Sequence, residues 1–266
     1  MKISPRHIVF IIIGIAVTLP IIFNIHLDST VTPETQQVYA NIDSLPPGAV
    51  IMVSFDFEAS SFAEVRPLSE VIIKHAFAKN LRIVAVSLFA EGAALGEQLL
   101  SSLAQSAGKV YGVDYVYLGF RPQYQAAILA MGESISREFP TDYFGNATAG
   151  QSLMSQVDNY GDIALIISVA DGSMPTYWVE YAVTPHQAKF QTVLTATMAT
   201  SFYPYLASGQ IKGIAAGLKG AAEYESLLGH DGAGSRGLLA QSVSQFAIVL
   251  IIIAGNVIER MRRRRD

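Results

Sequence analysis

The sequence predicts an α/β domain of the three-layer, Rossmann-like or flavodoxin-like kind, with a mostly parallel sheet of about five strands, flanked by two transmembrane helices. Three observations predict it. Segments such as 49–57 ("AVIMVSFDF") and 162–170 ("DIALIISVA") are almost continuously apolar, as strands buried on both faces must be. They alternate with segments whose apolar residues recur at helical spacing, the pattern of a parallel sheet covered by crossover helices. Two long runs without a charge, residues 8–25 and 237–258, flank all of this.

Taken in order, Thr32-Pro33-Glu34 opens a helix over 32–44, with Thr32 as N-cap and Pro33 at the first helical position, and Pro46-Pro47-Gly48 ends it. The first strand spans 49–57. Leu68, Val71, Ile72 and Ala76 mark one face of a helix over 67–79, closed by Asn80. The second strand spans 81–89. A helix over 93–107 follows, with Leu95, Leu99 and Leu103 inward and Gly108 just past its end. The third strand is 114–120 and a short helix covers 123–131. Residues 151–160 read as helical, 162–170 as the fourth strand, 175–183 as a helix and 189–198 as the fifth strand. Helices over 202–206 and 211–228 complete the domain. The stretch 229–237 ("GHDGAGSRG") reads as a flexible tether.

The composition sets the surroundings. With 51% hydrophobic and 15% charged residues, the chain is too apolar for an ordinary water-soluble domain. Each charge-free run is long enough to cross a hydrocarbon core, which takes about 20 residues of helix. The first run exceeds the apolar core of a cleaved signal peptide, about 7–15 residues, which is the rival reading there; a buried core helix is the rival for the second. Lys2 and Arg6 precede the first run, and Arg260 with Arg262 to Arg265 follow the second. Basic residues beside a span stay on the cytoplasmic side. The resulting order is a cytoplasmic stretch 1–7, a span 8–25, an extracytoplasmic domain with tethers 26–236, a span 237–258 and a cytoplasmic basic tail 259–266 in the cell membrane. Residues 26–236 hold 11 Lys and Arg against 20 Asp and Glu, a net charge of −9. Such a domain repels phosphate backbones, which excludes nucleic acid as a partner. There is no cysteine, so the domain depends on its core alone.

The stretches "VSFDFEASS", "FPTDYFG", "DIALIISVADG" and "FYPYLASGQIKGIAAGLKGAAEYE", together with the flanking apolar runs, carry a resemblance over most of the chain outside those runs. The chain resembles an uncharacterised family of membrane-anchored α/β proteins of bacteria and archaea. The resemblance implies the architecture and lends no activity and no site residue.

Parallel α/β sheets hold ligands beyond the carboxyl ends of their strands. The residues there are Asp56, Glu58, Ser60 and Ser61 after the first strand, Glu91 after the second and Arg121 after the third. Asp171 and Ser173 follow the fourth, and Thr197, Thr200 and Ser201 the fifth. Carboxylates in such number suit a hard divalent cation, and Arg121 suits a carboxylate or phosphate. On this expectation Asp56→Asn abolishes stabilisation by metal, or, without metal, relieves like-charge crowding and is neutral or stabilising. The plainer alternative is that these groups are solvated loop ends that cap the following helices. Gly213, Gly217 and Gly220, with Ala216 and Ala221, form a small-residue face on the helix read over 211–228. It suits packing on the domain's own sheet or a contact with another subunit.

Sharper motifs are lacking. "SFDFEAS" is similar to the Asp-x-Asp strand end of haloacid-dehalogenase-like phosphatases, but its second acid is Glu58 and the fourth strand supplies only Asp171. There is no Gly-x-Ser-x-Gly elbow, no Gly-x-Gly-x-x-Gly after the first strand and no phosphate-binding loop, so no organic cofactor is implied. The five histidines lack ligand spacing, and His75 reads as a core or interfacial residue. The function expected is therefore a non-catalytic domain binding a ligand or partner proteins within a membrane assembly. Its partners would be the lipid bilayer and either membrane proteins or further copies of itself. The alternative is a membrane-bound, metal-dependent hydrolase using the strand-end carboxylates.

Overall fold

The computed structural model describes residues 4–23, 30–230 and 232–263. Helix α1 (Pro5–Ile22) leads to α2 (Pro33–Asp43), and then strands and helices alternate: β1 (Val50–Asp56), α3 (Phe62–Ala78), β2 (Arg82–Ser87), α4 (Ala90–Ser106) and β3 (Tyr115–Phe120). Two short helices follow, α5 (Tyr124–Glu133) and α6 (Ile135–Glu138), before β4 (Leu165–Ala170), α7 (Met174–Trp178) and α8 (Thr184–His186). The chain continues through β5 (Phe190–Leu194), α9 (Ala199–Ala207), β6 (Ile214–Ala216), α10 (Gly217–Leu227) and α11 (Ala233–Arg262). The strands form one parallel sheet in the order β3-β2-β1-β4-β5-β6. That order is the Rossmann arrangement, with β1 and β4 flanking the point where the winding reverses, and it decides against the flavodoxin order.

The parallel sheet is buried on both faces. On one side Ile51, Val53, Ile83, Ile167 and Val193 pack against α2, α3, α4 and α10. On the other Met52, Val84, Val116, Ile166 and Phe190 pack under α5, α7 and the 153–163 segment. This double burial is why the strands read as unbroken apolar runs.

Several sequence expectations are corrected here. The sheet has six strands; β6 is only three residues long and its small residues resemble the helix that follows. Residues 211–228 are therefore a strand and a helix, and Gly213, Gly217 and Gly220 share no helical face. A Cβ at Gly213 would lie 2.8 Å from Val38 of α2, and one at Gly220 would lie 3.2 Å from the Ala215 backbone. Gly217 turns the chain from β6 into α10 at φ +58°, with Ala196 and Glu64 already at contact distance. All three positions are spent on internal packing. Helix α3 begins five residues before Pro67 and accommodates that proline near its start. Residues 151–160, which read as helical, hold one 3₁₀ turn at Met154–Gln156 and the start of another at Tyr160–Asp162.

The expectation for the apolar ends is met in part. Among the described residues one helix, not two, is long and apolar enough to cross a membrane: α11, of mean hydropathy 2.1 over its apolar window, of which only 11% is buried. Its low burial separates it from a core helix. Helix α1 is apolar but shorter, rising about 27 Å against a hydrocarbon core of about 30 Å. Pro20 lies within its last turn, and the rest of its charge-free run, residues 24 and 25, lies outside the described residues. The two helices pack along one another.

The stretch read as a tether is not free. Helix α11 begins at Ala233 and lies on α10 so closely that a Cβ at Gly234 would meet Ala221 at 2.5 Å. By Gly237 it has reached Leu218, one residue past the start of α10. It therefore runs antiparallel to α10, in the direction of the strands, and leaves the domain at the edge where the strands end.

His75 is a core residue, 4% exposed, stacked on Tyr39, with Nδ1 2.8 Å from the Tyr224 hydroxyl and Nε2 3.4 Å from Asp43. Burial holds its pKa below the usual histidine value, against the opposing pull of Asp43. The unfolded chain then binds more protons than the folded one as pH falls below about 6.5, so stability falls with it.

Two outcomes are expected from thermal unfolding of the full chain in detergent. Lowering the pH from 7.5 to 5.5 lowers the melting temperature, and His75→Gln flattens that dependence; an equal slope in the variant assigns it to another group. Gly217→Leu destabilises the domain by about 1–3 kcal/mol, since it adds a side chain at positive φ in a filled space. An unchanged melting curve contradicts the internal role of Gly217.

Candidate functional site

The crevice expected at the carboxyl ends of β1 and β4 is organised by the last residue of β1. Asp56 is completely buried. Its Oδ1 accepts from the Ser54 hydroxyl at 2.6 Å and the Leu88 amide at 3.2 Å; its Oδ2 accepts from the Ser168 hydroxyl at 2.7 Å and the Trp178 indole N–H at 2.9 Å. One carboxylate thus joins β1, the end of β2, β4 and α7. Burial pushes its pKa above the usual carboxylate range, and the four donors act against that shift by favouring the charged form. With four donors on two oxygens, it is a structural junction beneath the crevice floor.

Above it the other acids are engaged by backbone. Asp171 Oδ2 accepts the Glu58 amide at 2.8 Å, and Glu91 Oε2 accepts the Ala59 amide at 2.8 Å. Glu64, in the first turn of α3, accepts the Ala196 amide beyond β5 at 2.7 Å. The loops after β1, β4 and β5 and the first turn of α4 are latched together by carboxylate–amide bonds. Asp171 and Glu91 cover amides just ahead of α3, where the partial positive charge of a helix start attracts anions. Glu58, Ser60, Glu91, Ser173, Thr200 and Ser201 are exposed at this edge and Asp171 is half-buried. The sequence expectation places these residues on one edge, and the structure agrees.

Arg121 is the exception. Its guanidinium lies 4.6 Å from the centre of the Phe139 ring, its Nη2 donates to the Glu138 carbonyl, and its Nε is 3.1 Å from Glu138 Oε1. It is committed to α6 and does not balance the carboxylates. Among the described residues no group of three or more His, Asp or Glu side chains is placed to hold a metal ion.

The sequence reading passed over a second polar cluster, on α10. Glu225, 2% exposed, accepts the amides of Gly232 at 3.0 Å, Gly234 at 2.8 Å and Ser235 at 2.8 Å, together with the Ser235 hydroxyl at 2.5 Å. It caps the start of α11 from a neighbouring helix. Glu223, 1% exposed, accepts the amide of Thr32 at 3.1 Å and its hydroxyl at 2.6 Å. Thr32 stands at the N-cap position of α2 as expected, but its hydroxyl serves Glu223 and Thr35 in place of the helix. The signal was present in "AAEYESL": two glutamates two residues apart project to different sides of a helix, so one of them had to meet another element.

Comparison with protein-family models, curated proteins and solved structures finds no match to this chain.

The hydrogen bonds of Asp56 reverse the expectation for Asp56→Asn. An amide NH₂ would face either the Leu88 or the Trp178 N–H, neither of which can accept. The expected loss is about 1–3 kcal/mol, read by denaturant unfolding of the detergent-solubilised chain. Millimolar Mg²⁺ or Ca²⁺ is expected to leave the melting temperature of the parent chain unmoved. A rise that disappears in Asp56→Asn would instead establish a cation at this edge.

Proposed function

We propose that this chain is a two-span membrane protein whose α/β domain lies outside the cytoplasm and binds a ligand or partner proteins as a non-catalytic part of a membrane assembly. The observation that carries this reading is the junction between domain and anchor. A catalytic domain held at a surface needs only a loose tether. Here α11 is capped by buried Glu225, wedged against α10 at Gly234, and continuous from domain to apolar segment. Such a joint fixes how the domain is presented to its neighbours.

Other features agree with it. Helix α1 packs along α11, and Thr32, soon after α1, is tied to the same helix α10 through Glu223. Snorkelling of flanking residues or local thinning of the bilayer accommodates an apolar helix slightly shorter than the hydrocarbon core. Arg6 precedes α1, and Arg260, Arg262 and Arg263 end α11; Lys2, Arg264 and Arg265 lie outside the described residues. Kinship with a prokaryotic family of anchored α/β proteins belongs to the same proposal. The rival hydrolase reading loses ground because Asp56 is enclosed and Asp171 and Glu91 are committed to backbone amides.

Membranes from expressing cells test the anchor. The chain is expected to stay with the membrane through an alkaline carbonate wash. A cysteine at exposed Gln105 is expected to react with an impermeant thiol reagent in intact cells, whereas one at Met261 is not. Labelling at Met261 alone would invert the topology, and release by carbonate would remove the span.

A further inference from the structure

A cavity of about 180 Å³ opens between α2, α9, β6 and α10, lined by Glu34, Thr35, Tyr203, Lys219 and Glu223 among others. Its chemistry is unusual for a gap between helices. Glu223 is almost wholly buried, and while its Oε2 is bonded to Thr32, its Oε1 has no hydrogen bond. A buried carboxylate oxygen without a donor is costly. The nearest cation, Lys219 Nζ, is 3.5 Å away on a side chain that is 62% exposed, a contact too long and too solvated to satisfy it. Glu34, the second acid of the cavity, makes no side-chain hydrogen bond or ion pair among the described residues. Two carboxylates against one ammonium leave the cavity with one uncompensated negative charge.

Its place in the fold narrows the ligand. Ala196 and Ala199, which also line it, lie just beyond the end of β5, and Ala216, another lining residue, ends β6. This is the edge at which α11 leaves the domain. We propose that the cavity binds a compact zwitterion with a primary ammonium group, the ammonium donating to Glu223 Oε1 and Glu34 and the anionic group pairing with Lys219. The phosphoethanolamine headgroup of a membrane lipid has this chemistry, as does the free headgroup. The lipid is the favoured source, which rests on the reading of α11 as a span. A primary ammonium supplies the N–H donors that a choline headgroup lacks. Glu64, whose carboxylate accepts the amide of the cavity-lining Ala196, disfavours a purely anionic headgroup.

The test uses the full chain in detergent micelles doped with phosphatidylethanolamine, phosphatidylcholine or phosphatidylglycerol, and separately with free phosphoethanolamine, read by melting temperature against ligand concentration. The expected result is a saturable rise with phosphatidylethanolamine alone among the lipids. Its midpoint is expected to shift about tenfold in Glu34→Gln and in Lys219→Met, and to stay put in Arg66→Met, which lies outside the cavity. These substitutions leave the Thr32–Glu223 bonds in place, so the folded chain remains measurable. A rise with free phosphoethanolamine alone, sensitive to the same variants, would keep the site and assign it a soluble zwitterion. Equal responses to the three lipids, no response to any ligand, or midpoints indifferent to Glu34→Gln and Lys219→Met would overturn it. Failure of the anchor is seen separately, in the carbonate wash, and leaves the free-ligand arm intact.

Discussion

Asp56 is the group on which the centre of the fold depends. Strands β1 and β4 stay paired to their last residues, but the chain winds away from them in opposite directions, and a gap between the diverging loops is the usual result. Here the gap is closed from below. The carboxylate draws in a hydroxyl from its own strand, an amide from beyond β2, a hydroxyl from β4 and the indole of Trp178. Its desolvation is unfavourable, and only the full set of donors offsets it. Because each donor comes from a different place, the four elements must arrive together. Trp178 then stacks near Phe190 of β5, carrying the same constraint into the second half of the sheet.

Helix α10 plays the corresponding part at the margin of the domain. Along one turn it presents Glu223 to the segment leading from α1, Tyr224 to His75 in the core, and Glu225 to the start of α11. Displacing α10 therefore disturbs both apolar helices and the packing of α3 at once. The proposed zwitterion site lies on this same helix, so occupancy there would bear on how firmly the segment at Thr32 is held.

The architecture was largely legible because burial on both faces leaves a plain mark: β1, β2, β4 and β5 are apolar runs whose positions the sequence shows to within a few residues. Strand β6 was hidden because "IAA" is too short to carry a period and Gly217 turns directly into a helix. The tether at 229–237 was misread because its glycines suggest freedom, whereas Gly234 is small in order to let two helices touch. The strand-end edge was found by topology alone. What sequence could not show is which carboxylates were already spent, since Asp171, Glu91 and Glu64 are satisfied by amides far away along the chain. For the same reason Arg121, plausible as a counter-charge by position, is held by Glu138 in a segment that no strand rule locates.

The direction in which α11 departs has an electrical consequence. On the proposal that α11 crosses a membrane, its departure with the strands turns toward the bilayer the pole carrying Glu58, Glu64, Glu91 and Asp171, while Lys79, Lys109, Lys189 and Lys212 sit toward the opposite pole. An anionic leaflet repels the near pole and a zwitterionic one does not, with the force confined to about 10 Å or less at physiological salt. The rigid joint at Glu225 prevents the domain from rolling over to present its lysines. On that proposal the lipid charge around the anchor would set a stand-off distance, with the domain riding closer to a neutral membrane than to an acidic one.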